Sequence, residues 1–164
     1  PYQLLGVGGN MIFSNTIVKA ELAYKFNQTF AAKTLTEPVY QKNTVKTAWD
    51  FEYLIHHNAK LVIGLKHQHI LEWEENLNES KNNTEFFLGG NHLFFYQTLE
   101  LDYFLNHNQK NQDSVHRLKL FYLIRDDLKL VISTVYFDPS DSSSGHLAYY
   151  GNKSRLSAGI IYYF

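Results

Sequence analysis

Leu156-Ser157-Ala158-Gly159-Ile160-Ile161-Tyr162-Tyr163-Phe164 decides how the rest of the chain is read. Leu156, Ala158, Ile160, Tyr162 and Phe164 share one side of an extended strand, because side chains alternate with a period of two. A soluble strand gains nothing from an aromatic at the last of these positions. A strand whose outer side meets lipid does, since amphipathic rings collect where hydrocarbon gives way to water. The stretch therefore predicts a strand with lipid against one face.

The same period recurs upstream. Val18, Ala20, Leu22, Tyr24 and Phe26 oppose Lys19, Glu21, Ala23 and Lys25, and Val45, Trp49, Phe51, Tyr53 and Ile55 oppose Lys46, Asp50, Glu52 and His56. Counting such runs predicts strands at about 3–13, 16–26, 44–56, 60–73, 84–95, 98–106, 115–124, 128–137 and 153–164. The connections alternate between tight (14–15, 57–59, 96–97, 125–127) and long (27–43, 74–83, 107–114, 138–152). Pro38 and Pro139 fall in long ones, where no ladder hydrogen bond is lost. Short turns on one side and long loops on the other belong to an up-and-down membrane barrel. The expected fold is thus all-β, an antiparallel up-and-down transmembrane β-barrel, with residues 1–164 forming one domain. A single-chain barrel with both ends on one side needs an even strand count, so nine predicted strands suggest the C-terminal part of a larger barrel.

Composition agrees. Of 164 residues, 45% are hydrophobic and 16% aromatic, too apolar for a disordered chain. A net charge of -1 excludes a general nucleic-acid binder. With no cysteine there is neither a disulfide framework nor a thiolate metal site. No apolar run approaches the roughly 20 residues of a membrane helix, so any crossing is made by strands.

Taken together, the terminal strand, the hairpins and the loop alternation resemble bacterial outer-membrane β-barrel proteins of porin-like type. More narrowly, Gly151-Asn152-Lys153-Ser154-Arg155-Leu156 leading to Tyr163-Phe164, with Arg125-Asp126-Asp127-Leu128-Lys129-Leu130 and Val18 to Tyr24, is similar to a large outer-membrane barrel family of unknown function. The resemblance implies a Gram-negative outer membrane and contact with lipid and lipopolysaccharide. It also implies that Leu156, Ala158, Ile160, Tyr162 and Phe164 serve both as lipid-facing residues and as a signal to the barrel-assembly machinery.

Charge against hydrocarbon is costly, so the charged face is expected to line a wet lumen: Lys19, Glu21, Lys46, Asp50, Glu52, Glu100, Asp102, Arg117 and Lys119. Interlocked salt bridges filling a closed barrel, or the solvated face of a soluble sheet, remain open. Phe104, Phe121, Leu123, Val135, Phe137, Ile161 and Tyr163 share that face, where they would pack on an inserted segment or line a path for an apolar cargo. His67 and His69 point outward, and His92 is expected beside them; the trio suggests either contact with another envelope protein or a second copy, or histidines that sit at the outer headgroup level or are turned inward by a bulge. Two histidines are too few for a metal site, and no cofactor is expected. Acidic Glu74-Glu75-Asn76-Leu77-Asn78-Glu79 reads as a solvated outer loop. No nucleophile, base and orienting group converge: Ser114 and His116 sit at a strand end, Ser142-Ser143-Ser144-Gly145-His146 in a loop, and Glu100 with Asp102 suits a pore wall as well as acid–base work. Passive passage of small solutes, without bond chemistry, is therefore the first expectation. A filled scaffold barrel, or an exporter component for apolar cargo docking partners in an envelope complex, is the second. A soluble barrel with an apolar interior is the third.

Overall fold

The computed structural model describes residues 3–33, 39–139, 147, 150 and 153–163. Phe164, Pro38, the Ser142–His146 segment and Gly151-Asn152 lie outside them. The described residues form β1 (Gln3–Phe13), β2 (Thr16–Phe30), β3 (Tyr40–His56), β4 (Ala59–Ile70), β5 (Asn82–Phe94), β6 (Leu99–Asn108), β7 (Asp113–Arg125), β8 (Leu128–Asp138) and β9 (Arg155–Tyr162). They make one sheet in sequence order, each strand antiparallel to the next. β1 and β9 remain its two edges.

Alternating apolar and polar residues of high β propensity dictate these strands, and local chemistry ends them. Ser14, at φ 50°, makes the first turn. Phe95, Tyr96 and Gln97, at φ 48°, 55° and 70°, carry the β5–β6 turn through three successive left-handed residues, none of them glycine. In β2 the pairing with β3 slips between Lys25 and Gln28, with Asn27 at φ 51° as the extra residue. Its N–H donates to Asn43 Oδ1 at 3.1 Å, and pairing resumes to Phe30↔Tyr40. Both strands thus run farther than their alternation predicts. The β6–β7 connection shrinks to 109–112, so the alternation of short and long connections is weaker there than expected.

The register drifts steadily. The row Lys19↔Asp50↔Gly64↔Phe87↔Asn106↔Val115↔Phe137 begins beside the first short turn and finishes near the long-loop end of β8. Drift of one sign is the stagger that tilted strands acquire when a sheet curls toward a barrel.

The sheet exposes its apolar side. Along the middle of β3, Trp49, Phe51 and Tyr53 are 48%, 51% and 48% exposed, whereas Asp50 and Glu52 between them are half-buried. Leu22, Ile63, Leu156 and Ile160 are exposed likewise. A soluble barrel with an apolar interior requires the opposite arrangement of these β3 residues. Dry packing sits elsewhere: Phe30, Ile70 and Leu77 form a buried cluster flanked by Tyr40 and Trp73.

Candidate functional site

Register assigns each strand residue to a face. Lys19 opposes Asp50, Glu21 opposes Ala48, Ala23 opposes Lys46 and Ile17 opposes Glu52. Farther along, Asp102 opposes both Asn91 and Lys119, Phe104 opposes Arg117, and Glu100 opposes Phe121. Lys19, Glu21, Lys46, Asp50, Glu52, Glu100, Asp102, Arg117 and Lys119 therefore share one face. Phe104, Phe121, Leu123, Val135, Phe137 and Ile161 lie on it too, by the same pairings.

These charges are mostly not locked together. Lys19 pairs with Glu52 across β2 and β3, and Lys42 pairs with Glu74 of the β4–β5 loop. Among the described residues Glu21, Lys60, Lys66, Glu100, Asp102 and Lys119 close no ion pair within 4.0 Å. One Asp50 oxygen is buried without a hydrogen-bond partner. Several apolar residues find cations or loop rings instead. Arg117 lies 5.3 Å from the Phe104 ring centroid, Lys129 lies 5.7 Å from that of Tyr163, and Tyr150 packs on Phe137 at 5.5 Å.

The acidic β4–β5 loop is not a freely solvated segment, contrary to expectation. It folds over the charged face and pairs with the end of β2. Lys33 N–H donates to Asn76 O at 2.9 Å, Asn78 N–H donates to Ala31 O at 3.0 Å, and Ala32 bridges Leu77. Trp73 Nε1 donates to Glu79 O at 2.8 Å and fixes the loop's curvature. Ile70 and Leu77 are 0% exposed against Phe30, and each such burial contributes about 1.5–3 kcal/mol. The docked loop brings Glu79 beside Gln28, Gln68, Asn83 and Glu85 around a cavity of about 280 Å³.

The outward histidines need one correction. His92 opposes Ala59 at the short-turn end of β5, far from His67 and His69, so the expected trio does not assemble. Each of the other two meets its register partner. His67 Nδ1 lies 2.9 Å from Thr84 Oγ1, and His69 Nδ1 lies 2.6 Å from Asn82 Oδ1. His107 repeats the arrangement with Ser114 Oγ at 2.9 Å, and His116 reaches Tyr103 O–H at 3.0 Å. His92 stacks on Phe94 with centroids 4.1 Å apart. Cross-strand bonds of this kind lower the cost of placing an imidazole on an apolar face.

The apolar face is banded. Toward the long loops it carries Tyr24, Thr47, His67, Thr84, His107, His116 and Tyr136; toward the short turns it carries Phe13, Tyr53, His92, Phe94, Tyr122 and Tyr162. Between the bands lie Leu22, Phe51, Ile63, Leu88, Leu118, Ile132 and Ala158. Leu156, Ala158, Ile160 and Tyr162 of β9 continue this face, with Leu156 75% and Ile160 69% exposed. Comparison with family models, with curated proteins and with solved structures finds no match, so function must be read from this geometry.

Proposed function

We propose that this chain forms the wall of a porin-like barrel in a bacterial outer membrane, passing small solutes or ions along its charged face without bond chemistry. The observation that carries the reading is the inverted alternation of β3, where Trp49, Phe51 and Tyr53 are exposed and Asp50 and Glu52 are half-buried. Water does not favour that arrangement; lipid outside and water inside do.

The bands support the same reading. Roughly seven residues of strand separate them, or about 18 Å along the axis at about 3.3 Å per residue and a tilt of about 40°. With the bands themselves included, the height is of the order of the roughly 25 Å apolar zone of a membrane barrel. Lipid and lipopolysaccharide cover the apolar face, and the assembly machinery recognises β9 through its outward residues Leu156, Ala158, Ile160 and Tyr162. Closing the sheet into a larger even-stranded barrel means pairing the open edges of β1 and β9 with further strands. The docked 71–81 loop narrows the passage from the long-loop side.

Reconstitution in planar bilayers tests the proposal. Steady open-channel current that scales with salt concentration is expected. A correctly folded barrel that stays electrically silent contradicts it and favours the scaffold reading, in which the loop and its cluster seal the interior.

A further inference from the structure

We propose that the charged face holds a binding site for a neutral sugar, a single pyranose ring seated over Gly89, with Phe87 and Phe104 as its apolar border and Lys60, Asn91 and Asp102 as its polar one. This names a solute class for the pore and rests on that reading for its use, although the binding itself can be measured without it.

The site begins as a gap in the side-chain lattice. Gly89 opposes Val62 of β4 and Phe104 of β6, and Phe87 and Asn91 stand two residues to either side of it along β5. All five positions share one face, and only the middle one has no side chain. A cavity of about 320 Å³ opens there, lined by these residues. Small-molecule sites run from about 300 to 1,000 Å³, so this one suits a single sugar ring rather than a chain of them.

Neighbouring residues hold the apolar border in place. Phe87 leans across Gly64, whose missing side chain leaves the space: a Cβ there would stand 2.0 Å from the ring's Cζ. Phe87 and Phe104 stack, with centroids 6.2 Å apart and planes 29° apart. Arg117 sits 5.3 Å from the Phe104 centroid and steadies that ring. Stacked rings beside an open gap reward a ligand with a flat apolar face.

The polar border is a row of the register, Lys60↔Asn91↔Asp102, with Glu100 two residues from Asp102 on the same face. Among the described residues the side chains of Lys60, Asn91, Glu100 and Asp102 make no hydrogen bond or ion pair, so their donors and acceptors remain available to a ligand. Two cations, Lys60 and Arg117, and two carboxylates, Glu100 and Asp102, line this one cavity, which therefore has no excess of either sign. An anion or a cation entering it meets like charge as well as opposite charge. A hydroxyl both donates and accepts, so it can use the carboxylates, the cations and the Asn91 amide alike. A pyranose carries hydroxyls around its rim and C–H groups on its faces, and it meets the rings and the polar row at once.

The test is calorimetric titration of methyl β-D-glucopyranoside, whose ring faces carry only C–H bonds, into the intact chain folded in a detergent without a sugar headgroup. Glucose 6-phosphate, which adds charge, and phenylalanine, a zwitterion with a ring, are the comparisons; Gly89→Ala, Asp102→Asn and Phe104→Leu are the variants. Saturable glucoside binding, tighter than either comparison and little changed by added salt, is expected. Each variant should weaken it about tenfold. A Cβ at Gly89 makes only ordinary contact, 3.4 Å from Phe104 Cδ2, so Gly89→Ala fills the gap without forcing the strands apart and keeps the test alive if Phe104→Leu fails to fold. Glucoside binding that is non-saturable, or indifferent to Gly89→Ala and Asp102→Asn, overturns the proposal, as does tighter binding of either comparison. Saturable binding by an electrically silent barrel leaves the site standing and removes the pore. Steady current without glucoside binding does the reverse.

Discussion

Two regions of this molecule hide apolar surface in different ways. Where the 71–81 loop meets the ends of β2 and β4, Phe30, Ile70 and Leu77 pack on one another and are buried, as in the core of any water-soluble protein. Along the middle of β3 and β4, Trp49, Phe51 and Ile63 are about half exposed, and among the described residues no second layer covers them. The first region brings its own shelter. The second, on the proposed reading, depends on lipid. Burial then stabilises the loop whatever the solvent, while the wall proposed here is stable only against lipid.

Substitutions break this comparison in graded steps. Ile63→Arg puts a charge in the apolar zone between the bands and should cost about 4 kcal/mol of folding free energy in bilayers, by urea titration. If the wall faced water, the same change would be close to neutral. Leu77→Ala should cost about 3 kcal/mol through the cavity it leaves. Its effect is confined to one loop, so amide exchange should rise across 71–81 and in the 31–33 segment while β5 to β8 stay protected. Loss of protection throughout the sheet would mean that the cluster supports the wall as well.

Smaller effects sharpen the boundary between the regions. Tyr96→Gly relieves a non-glycine residue at φ 55° in an exposed turn and should stabilise by about 1 kcal/mol, read by the same titration. Destabilisation would show that the exposed ring is held by the membrane surface more strongly than the backbone resists its conformation. Gly90→Ala is expected to act the other way. A Cβ there meets the Lys60 carbonyl oxygen at 2.9 Å, so β4 and β5 must separate slightly, and amide exchange should rise at Lys60 to Val62. Unchanged exchange would mean that the sheet absorbs the methyl by twisting.

Much of the sheet was legible in the sequence because a strand has only two faces and a period of two reports both. Val18 to Phe26 and Val45 to Ile55 carried the pattern over enough residues to fix strand and face together. The pattern says nothing of what happens past a strand's end. Leu71 and Trp73 continue the alternation of β4, yet the strand stops at Ile70, because Trp73 turns back to bond Glu79. That misplaced end shifted the β4–β5 register and set His92 beside the wrong partners.

The docked loop was hidden for a related reason. Its charges suggested solvent, and one buried leucine among them decided otherwise; Ile70, Trp73 and Leu77, spaced three and four apart, were the available signal. The stacking of Phe87 on Phe104 needed the register of β5 against β6, which no single segment contains. Gly64 carried no meaning until Phe87 was seen leaning over it. Likewise the hydrogen bonds of His67, His69 and His107 to Thr84, Asn82 and Ser114 appear only once the strands are paired.

The most direct test of the account uses the chain's lack of cysteine. Single cysteines placed in turn at Ala48, Trp49, Asp50, Phe51, Glu52 and Tyr53 can be spin-labelled in the protein reconstituted into lipid, and their collisions with oxygen and with a water-soluble nickel chelate compared. The account predicts strict alternation, with oxygen favoured at 49, 51 and 53 and the chelate favoured at 48, 50 and 52. Labels at 49, 51 and 53 shielded from both reagents, with 48, 50 and 52 open to bulk water, would contradict it.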